Sequence, residues 1–417
     1  MQAKNEFNLI KERFVEELRT EAFLYEHIKT GARFLSLVND DKNKVFGIGF
    51  PTPPGDSTGV AHIIEHSVLN GSRKYPVKDP FKQLLGSSVN TFLNAFTYPD
   101  KTVYPCASAN VKDFYNLVNV YLDTVFYPLL KKEAFLQEGW HYEIENEKLK
   151  YKGVVFNEMK GAYSDAERIL ETASIQSLFP DTVYGVESGG DPRFIPDLTW
   201  EKFKEFYNDF YHPSNSFIYF YGDDDPELRF EILDSYLKDF KRENTPSEIP
   251  LQPRFSEPRR LIETYPAKEG DKGMVSINWM LGEPSNEIER LSWVILGYIL
   301  IGTPASPLRK AILDSGLGDD FASALSPEDE LRQQCISVGL KGIKPSDAEK
   351  LELLVLDTLK SLCDAEKGIS DRMINAAINV ATFELREASV SSGFPKPKGL
   401  NLYIRILCRK AFRKQNK

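Results

Sequence analysis

His62 and His66, with Glu65 beside the second, set two imidazoles and a carboxylate within one helical turn of each other. They lie in Ser57-Thr-Gly-Val-Ala-His-Ile-Ile-Glu-His-Ser-Val-Leu-Asn-Gly71, which holds two of the chain's five histidines. The pattern predicts a helix that starts after a capping residue, Asp56, Ser57 or Thr58, and stops near Asn70-Gly71. Residues four apart on a helix lie one above the other, so both imidazoles can offer a nitrogen to one point. Glu65 lies on the same side and can reach a water held at that point. Two imidazoles on one helix face with an adjacent carboxylate are how a protein builds a catalytic zinc site, with nitrogen ligands about 2.0–2.1 Å from the metal. The order His-x-x-Glu-His is the inverted form of the His-Glu-x-x-His peptidase signature. The competing reading is an ordinary helix, but two histidines and a glutamate would then need other polar partners once buried.

The elements that must position these residues follow from periodicity. Arg33–Asp40 and Lys44–Phe50 read as two strands of a β-hairpin across Asp41-Lys-Asn, with the histidine helix after Pro51-Thr-Pro-Pro-Gly. Val89–Thr97 and Lys101–Cys106 read as a second hairpin through Tyr98-Pro-Asp. Val111, Phe114, Tyr115, Val118, Leu122 and Val125 recur at helical spacing and read as core packing. A further helix is predicted over Tyr151–Tyr163, with Glu158 flanked by Val154, Val155 and Met159. A carboxylate in that setting either snorkels to the surface or pairs with a cation. A helix over Trp200–Tyr211, a strand at Phe217–Tyr221 and a helix over Pro226–Phe240 complete the first region.

At 417 residues the chain exceeds one core, which predicts two domains of about 200 residues. The polar stretch Lys241–Arg259, with Pro246, Pro250, Pro253 and Pro258, reads as the boundary. The expected domains are 1–245, carrying the site, and 259–417, without a metal site because it contains no histidine. Beyond the boundary, strands are expected at Arg260–Tyr265, Met274–Met280, Ala322–Leu325 and Cys335–Leu340. Helices are expected over Glu287–Ile301, Asp347–Asp364 and Asp371–Ala388. The outline repeats, so the fold class is α+β: two related domains, each a mostly antiparallel sheet with helices packed on it. The basic end, Arg405–Lys417, lacks a stop signal.

Composition narrows the function. A net charge of −9 argues against a nucleic-acid partner and mildly favours a cationic substrate. Four scattered cysteines form no Cys-x-x-Cys pair and read as thiols in a reducing compartment. No run of about 20 apolar residues predicts a membrane span. The N-terminus has no apolar core for secretion and is too acidic for a transit peptide, so a cytoplasmic location is expected.

Several segments together resemble the pitrilysin/insulinase superfamily of zinc peptidases, in its presequence-protease branch. They are His62–Pro76, Phe92-Leu-Asn-Ala-Phe-Thr, Gln137-Glu-Gly-Trp-His, Gly153-Val-Val-Phe-Asn-Glu-Met-Lys-Gly and Ser188-Gly-Gly-Asp-Pro. The resemblance is dense from about residue 30 to 225, and looser to about 405, where Gly393-Phe-Pro-Lys-Pro-Lys-Gly-Leu looks like an altered family segment. It implies a Zn2+ cofactor held by His62, His66 and Glu158, with Glu65 as the general base. It implies that Asn94, Ala95 and Phe96 form an edge strand that takes peptide backbone by β-addition. Glu138 lies in a recurring segment, with no role beyond a contact behind the ligands. The implied activity is a zinc metallo-endopeptidase cutting short unstructured peptides. Members of that branch are longer, and their two halves close around the peptide, so this chain resembles the N-terminal half of the clamshell. The implied partners are a peptide substrate and a C-terminal half or complementary subunit. The alternative reading is an inactive zinc-binding half that serves as a binding or assembly subunit.

Overall fold

The computed structural model describes residues 3–267, 273–283, 287–322, 331–364, 368–386, 397, 399–400 and 402–403. The chain forms two compact units that interleave in sequence: Met1–Lys160, Val186–Glu248 and Ser389–Lys417 in the first, Gly161–Gly185 and Ile249–Ala388 in the second.

The first unit opens with four strands, β1 Phe7–Val15, β2 Thr20–His27, β3 Arg33–Val38 and β4 Lys44–Pro51, followed by α1 Val60–Val68 and α2 Pro80–Ser87. Strands β5 Asn90–Leu93, β6 Phe96–Thr97 and β7 Lys101–Ser108 lead into α3 Val111–Phe126 and α4 Lys132–Glu138. A two-stranded ribbon, β8 His141–Glu145 and β9 Lys148–Lys152, precedes α5 Val154–Ala162; α6 Ala166–Leu178 then falls in the second unit. The first unit resumes with α7 Trp200–Phe210, β10 Phe217–Gly222 and α8 Pro226–Leu237.

Its main sheet runs β1-β2-β3-β10-β4-β7-β5, with β6 also paired to β7. Every pair is antiparallel except β3 with β10. Strands β4, β7 and β10 are buried at every position. Both faces of the sheet are covered there, so these strands show no alternation of buried and exposed positions. One face carries an aromatic core in which Phe34, Phe220 and Phe230 meet edge to face at 5.5–5.6 Å. The other face holds Val45, Val103, Tyr219 and Tyr221, closed by Leu400 and Tyr403 from far along the chain. Tyr403 stacks on Tyr219 at 4.7 Å between ring centroids. A Cβ on Gly47 would lie 2.1 Å from the Tyr403 ring, so only glycine leaves room for that ring.

The second unit is smaller. After α6 it contains β11 Gly273–Met280, α9 Glu287–Ile301, α10 Pro307–Asp314, β12 Asp320–Ala322, β13 Cys335–Ile343, α11 Ala348–Leu362 and α12 Asp371–Arg386. Its sheet is antiparallel in the order β11-β13-β12. Val338, Leu340 and Ile343 of β13 pack with Leu308, Ile312, Leu351 and Val355 from the helices. The α+β class with antiparallel-dominated sheets is thus observed in both units.

Three local expectations change. The segments Arg33–Asp40 and Lys44–Phe50 are strands but not a hairpin, because β10 lies between them, parallel to β3 and antiparallel to β4. A two-strand reading of a short polar gap cannot see a third strand arriving from 180 residues away. The helix expected from Tyr151 begins at Val154, because Tyr151 and Lys152 complete the ribbon and Gly153 turns the chain at φ 155°. Arg260–Tyr265 is irregular. Of the strand expected over Ala322–Leu325, Ala322 lies in β12 and residues 323–325 lie outside the described residues. Residues 404–417, and all but Pro397, Gly399 and Leu400 of the Gly393–Leu400 segment, also lie outside them.

Candidate metal centre

Helix α1 is short and almost wholly buried, with His62 and Glu65 among its buried residues. None of the three expected capping side chains holds its first turn. Its N-cap is Gly59 in the left-handed region at φ 71°, while Asp56 accepts hydrogen bonds from the Thr58 amide and hydroxyl. The reason is close packing: a Cβ at Gly59 would lie 2.8 Å from the Gly190 Cα, and one at Gly190 2.9 Å from the Gly59 Cα. Loop 187–191 therefore lies directly on the start of α1. It is tied there by the Asp191 amide donating to Ser57 O at 2.9 Å and the Glu187 amide donating to Ser57 Oγ at 3.1 Å.

This seat delivers a carbonyl to the first histidine. His62 Nδ1 lies 3.0 Å from Gly189 O. A carbonyl only accepts, so Nδ1 carries the proton and Nε2 presents its lone pair. The second histidine is set the same way by a carboxylate: His66 Nδ1 lies 3.3 Å from Glu138 Oε2. Glu138, at the end of α4, is held in turn by the side-chain amides of Asn70 at 3.0 Å and Gln137 at 2.9 Å. Both imidazoles thus turn Nε2 to a common side, with ring centroids 5.0 Å apart.

Glu158, on α5, arrives at that side. Its Oε2 is 3.7 Å from His62 Nε2 and 3.8 Å from His66 Nε2. One ligand atom from each of the three residues lies within 4.8 Å of the other two, the only such three-residue group among the described residues. The donor set, two neutral nitrogens and one carboxylate oxygen with a backing acceptor behind each nitrogen, has the chemistry of a site for a divalent ion that keeps a position open. Residues 92 positions apart in sequence meet because α1 and α5 each start from a turn that only glycine fits. A Cβ on Gly153 would strike Gly139 O at 2.0 Å.

Glu65 is buried on the same helix. Burial pushes its carboxyl above the ordinary carboxylate value, opposed by the nearby His62 and His66 and by a hydrogen bond from Thr97. Thr97 Oγ1 donates to Glu65 Oε2 at 2.6 Å. For His66, burial alone would lower the imidazole pKa; the hydrogen bond to Glu138 and the charges of Glu65, Glu138 and Glu158 outweigh it and raise the value. Burial raises the Glu138 carboxyl, but hydrogen bonds from His66 and Asn70 overcome this and hold it below the ordinary range.

Asn94, Ala95 and Phe96 stand where β5 gives way to β6 at the edge beyond β7. The Asn94 amide donates to Pro105 O at 3.3 Å, and Asn94 O accepts from the Tyr121 hydroxyl at 3.0 Å. Cys106 is fully buried, which pushes its thiol well above the ordinary range, so it is not a reactive nucleophile. Sequence reasoning passed over Thr97 and the Gly189 carbonyl. The signals were present: a hydroxyl in the Phe-Thr pair after Asn94-Ala95, and the Gly-Gly of the 188–192 segment.

Comparison with known proteins relates this α+β unit to a family. Residues 46–170 match the family model described as "Insulinase (Peptidase family M16)", and residues 197–380 that of the "Peptidase M16 inactive domain". The chain is 50% identical over 414 residues to "Presequence protease 1, chloroplastic/mitochondrial" of Arabidopsis thaliana, covering 97% of this chain and 38% of that protein. It is 44% identical over 410 residues to "Protein HypA" of Clostridium perfringens, covering 96% of this chain and 41% of that one. The fold is similar to the crystal structure of pitrilysin, with a TM-score of 0.66 at 15% identity, covering 99% of this chain and 44% of that one. The chain belongs to the M16 peptidase superfamily, in its presequence-protease branch. It spans about two fifths of the length of these relatives.

Proposed function

We propose that the chain is the metal-bearing part of a zinc metallo-endopeptidase that hydrolyses short unstructured peptides. The first unit acts as the catalytic domain, and the second carries no metal. The observation that carries this reading is the convergence of His62, His66 and Glu158, with an acceptor behind each imidazole.

His62, His66 and Glu158 would hold the ion. When bound, zinc supplies Lewis-acid chemistry, polarising a peptide carbonyl and making water more acidic. Glu65 takes the proton from the attacking water and later passes it to the departing amine. Gly189 O and Glu138 keep each imidazole in the tautomer that leaves Nε2 free. Asn94, Ala95 and Phe96 would lie along an extended peptide as the edge strand, reading shape more than sequence. The partner implied is a peptide. No helix among the described residues is long and apolar enough to cross a bilayer.

Metal analysis with a quenched-peptide assay tests the proposal. About one zinc per chain and chelator-sensitive cleavage are expected. Glu65→Gln should lower kcat by about 10²–10⁴-fold while keeping the zinc. Cleavage by that variant at the wild-type rate would remove Glu65 from its role. A second reading is an inactive zinc-binding half that serves as a binding or assembly subunit and needs a complementary half; the chain spans 38–41% of the length of its relatives. Zinc without cleavage, and cleavage on adding the complementary half, would decide for it. The Arabidopsis relative is named for chloroplast and mitochondrion. An organellar matrix therefore joins the cytoplasm as a proposed location, and imaging a tagged copy separates the two.

A further inference from the structure

Thr97 Oγ1 donates to the Glu65 carboxylate, and the residues around Thr97 hold it in place. Its backbone pairs with Thr102 in the β6–β7 ladder. The next residue closes the turn, with the Tyr98 amide donating to Lys101 O at 2.8 Å. Thr102 is anchored in turn by the Thr52 hydroxyl at 2.8 Å. Thr97 is β-branched, so its χ1 is stiff as well. A rigid hydroxyl 2.6 Å from a carboxylate oxygen fixes both the position and the rotation of that carboxylate.

The fixation has a consequence for the site. Glu65 is 8% exposed and lies on the helix that carries both imidazoles. Released, a buried carboxylate turns to the strongest positive charge within reach, since it cannot stay unpaired. With an ion held by His62, His66 and Glu158, that charge is the ion itself. Glu65 would then become a ligand and cease to be a base. On the proposed peptidase reading, we infer that Thr97 is a positioning residue: its hydroxyl pins Glu65 Oε2 and so keeps this carboxylate out of the ion's ligand set, leaving Oε1 for proton transfer.

Zinc affinity, measured by competition with a chromophoric chelator, tests this without relying on turnover. Thr97→Val keeps the shape and removes the hydroxyl, and should tighten zinc binding about tenfold, the scale on which partners behind the ligands act. Thr97→Ser should restore wild-type affinity. In a Glu65→Gln background, Thr97→Val should have no effect, because an amide is a poor ligand for the ion. The visible spectrum of the cobalt-substituted protein gives a second readout. It should change in Thr97→Val alone, reporting an added ligand, and match wild type in the other two variants. Equal affinity and spectra in wild type and Thr97→Val would overturn the inference while leaving the peptidase reading intact. So would weaker binding that serine fails to restore, which marks a merely structural role. Absence of zinc from the wild-type chain would overturn the peptidase reading itself, and this inference with it.

Discussion

The two units use one structural vocabulary to different ends. Each sets helices on an antiparallel-dominated sheet, and in each a helix follows a strand of that sheet. In the first unit this helix is α1, whose nine residues include His62, Glu65 and His66. In the second it is α9, whose fifteen residues read Glu-Ile-Glu-Arg-Leu-Ser-Trp-Val-Ile-Leu-Gly-Tyr-Ile-Leu-Ile, with no histidine. The second unit's helix spends its surface on packing, with Ile299 and Leu300 buried. The first unit's helix accepts buried polar groups and surrounds them with partners: Gly189 O, Glu138 and Thr97. A site costs stability unless its buried polar atoms are satisfied, so it needs supporting residues around it, and among the described residues such a set surrounds the histidine helix of the first unit.

The comparison can be broken from its strongest side first. Arg229 and Asp224 form a fully buried ion pair in the first unit, with the guanidinium also donating to Ser36 Oγ and Leu37 O. Arg229→Ala leaves Asp224 unpaired and should cost about 3–5 kcal/mol. Hydrogen exchange should show the loss in the first unit's central strands and not in β11–β13; equal loss in both would mean the units behave as one. Zinc at a hundred times its Kd should add about 2.7 kcal/mol by mass action. That protection should also appear only in the first unit, and a chelator should remove it. Glu138→Gln should weaken zinc binding by about 10–100-fold while leaving the second unit unchanged, as titration calorimetry can check.

The smallest effect is in pH. In metal-free protein the raised pKa of His66 contributes stability below its unfolded value, about 6.5, and loses it as pH rises through the higher folded value. The lowered pKa of Glu138 contributes above its unfolded value, about 4.3, and loses it as pH falls through the lower folded value. The pair therefore stabilises most between about pH 4.3 and 6.5. Urea midpoints at pH 5.5 and pH 8 should show this in wild type with chelator, and a flatter profile in Glu138→Gln.

Much of this was legible in the residues. The spacing of His62, Glu65 and His66 dictates one helix face, because helical periodicity is a local property of the chain. The segments Lys44–Phe50, Lys101–Cys106 and Phe217–Tyr221 read as strands because the alternation and turn signals that mark a strand are also local. What periodicity could not carry was pairing. β10 enters between β3 and β4, and Tyr403 returns to fill the space that Gly47 leaves, through contacts whose partners are far apart in sequence.

Residue type and short-range geometry fix which side chains could bind an ion and which helix carries two of them. The meeting of Glu158 with those imidazoles, the hold of Gly189 and Glu138 on their tautomers, and the bond from Thr97 to Glu65 arise only when the chain folds. Those contacts depend on how glycine-tight turns and an inserted strand bring distant segments together, and sums over long loops leave no periodic trace in the chain.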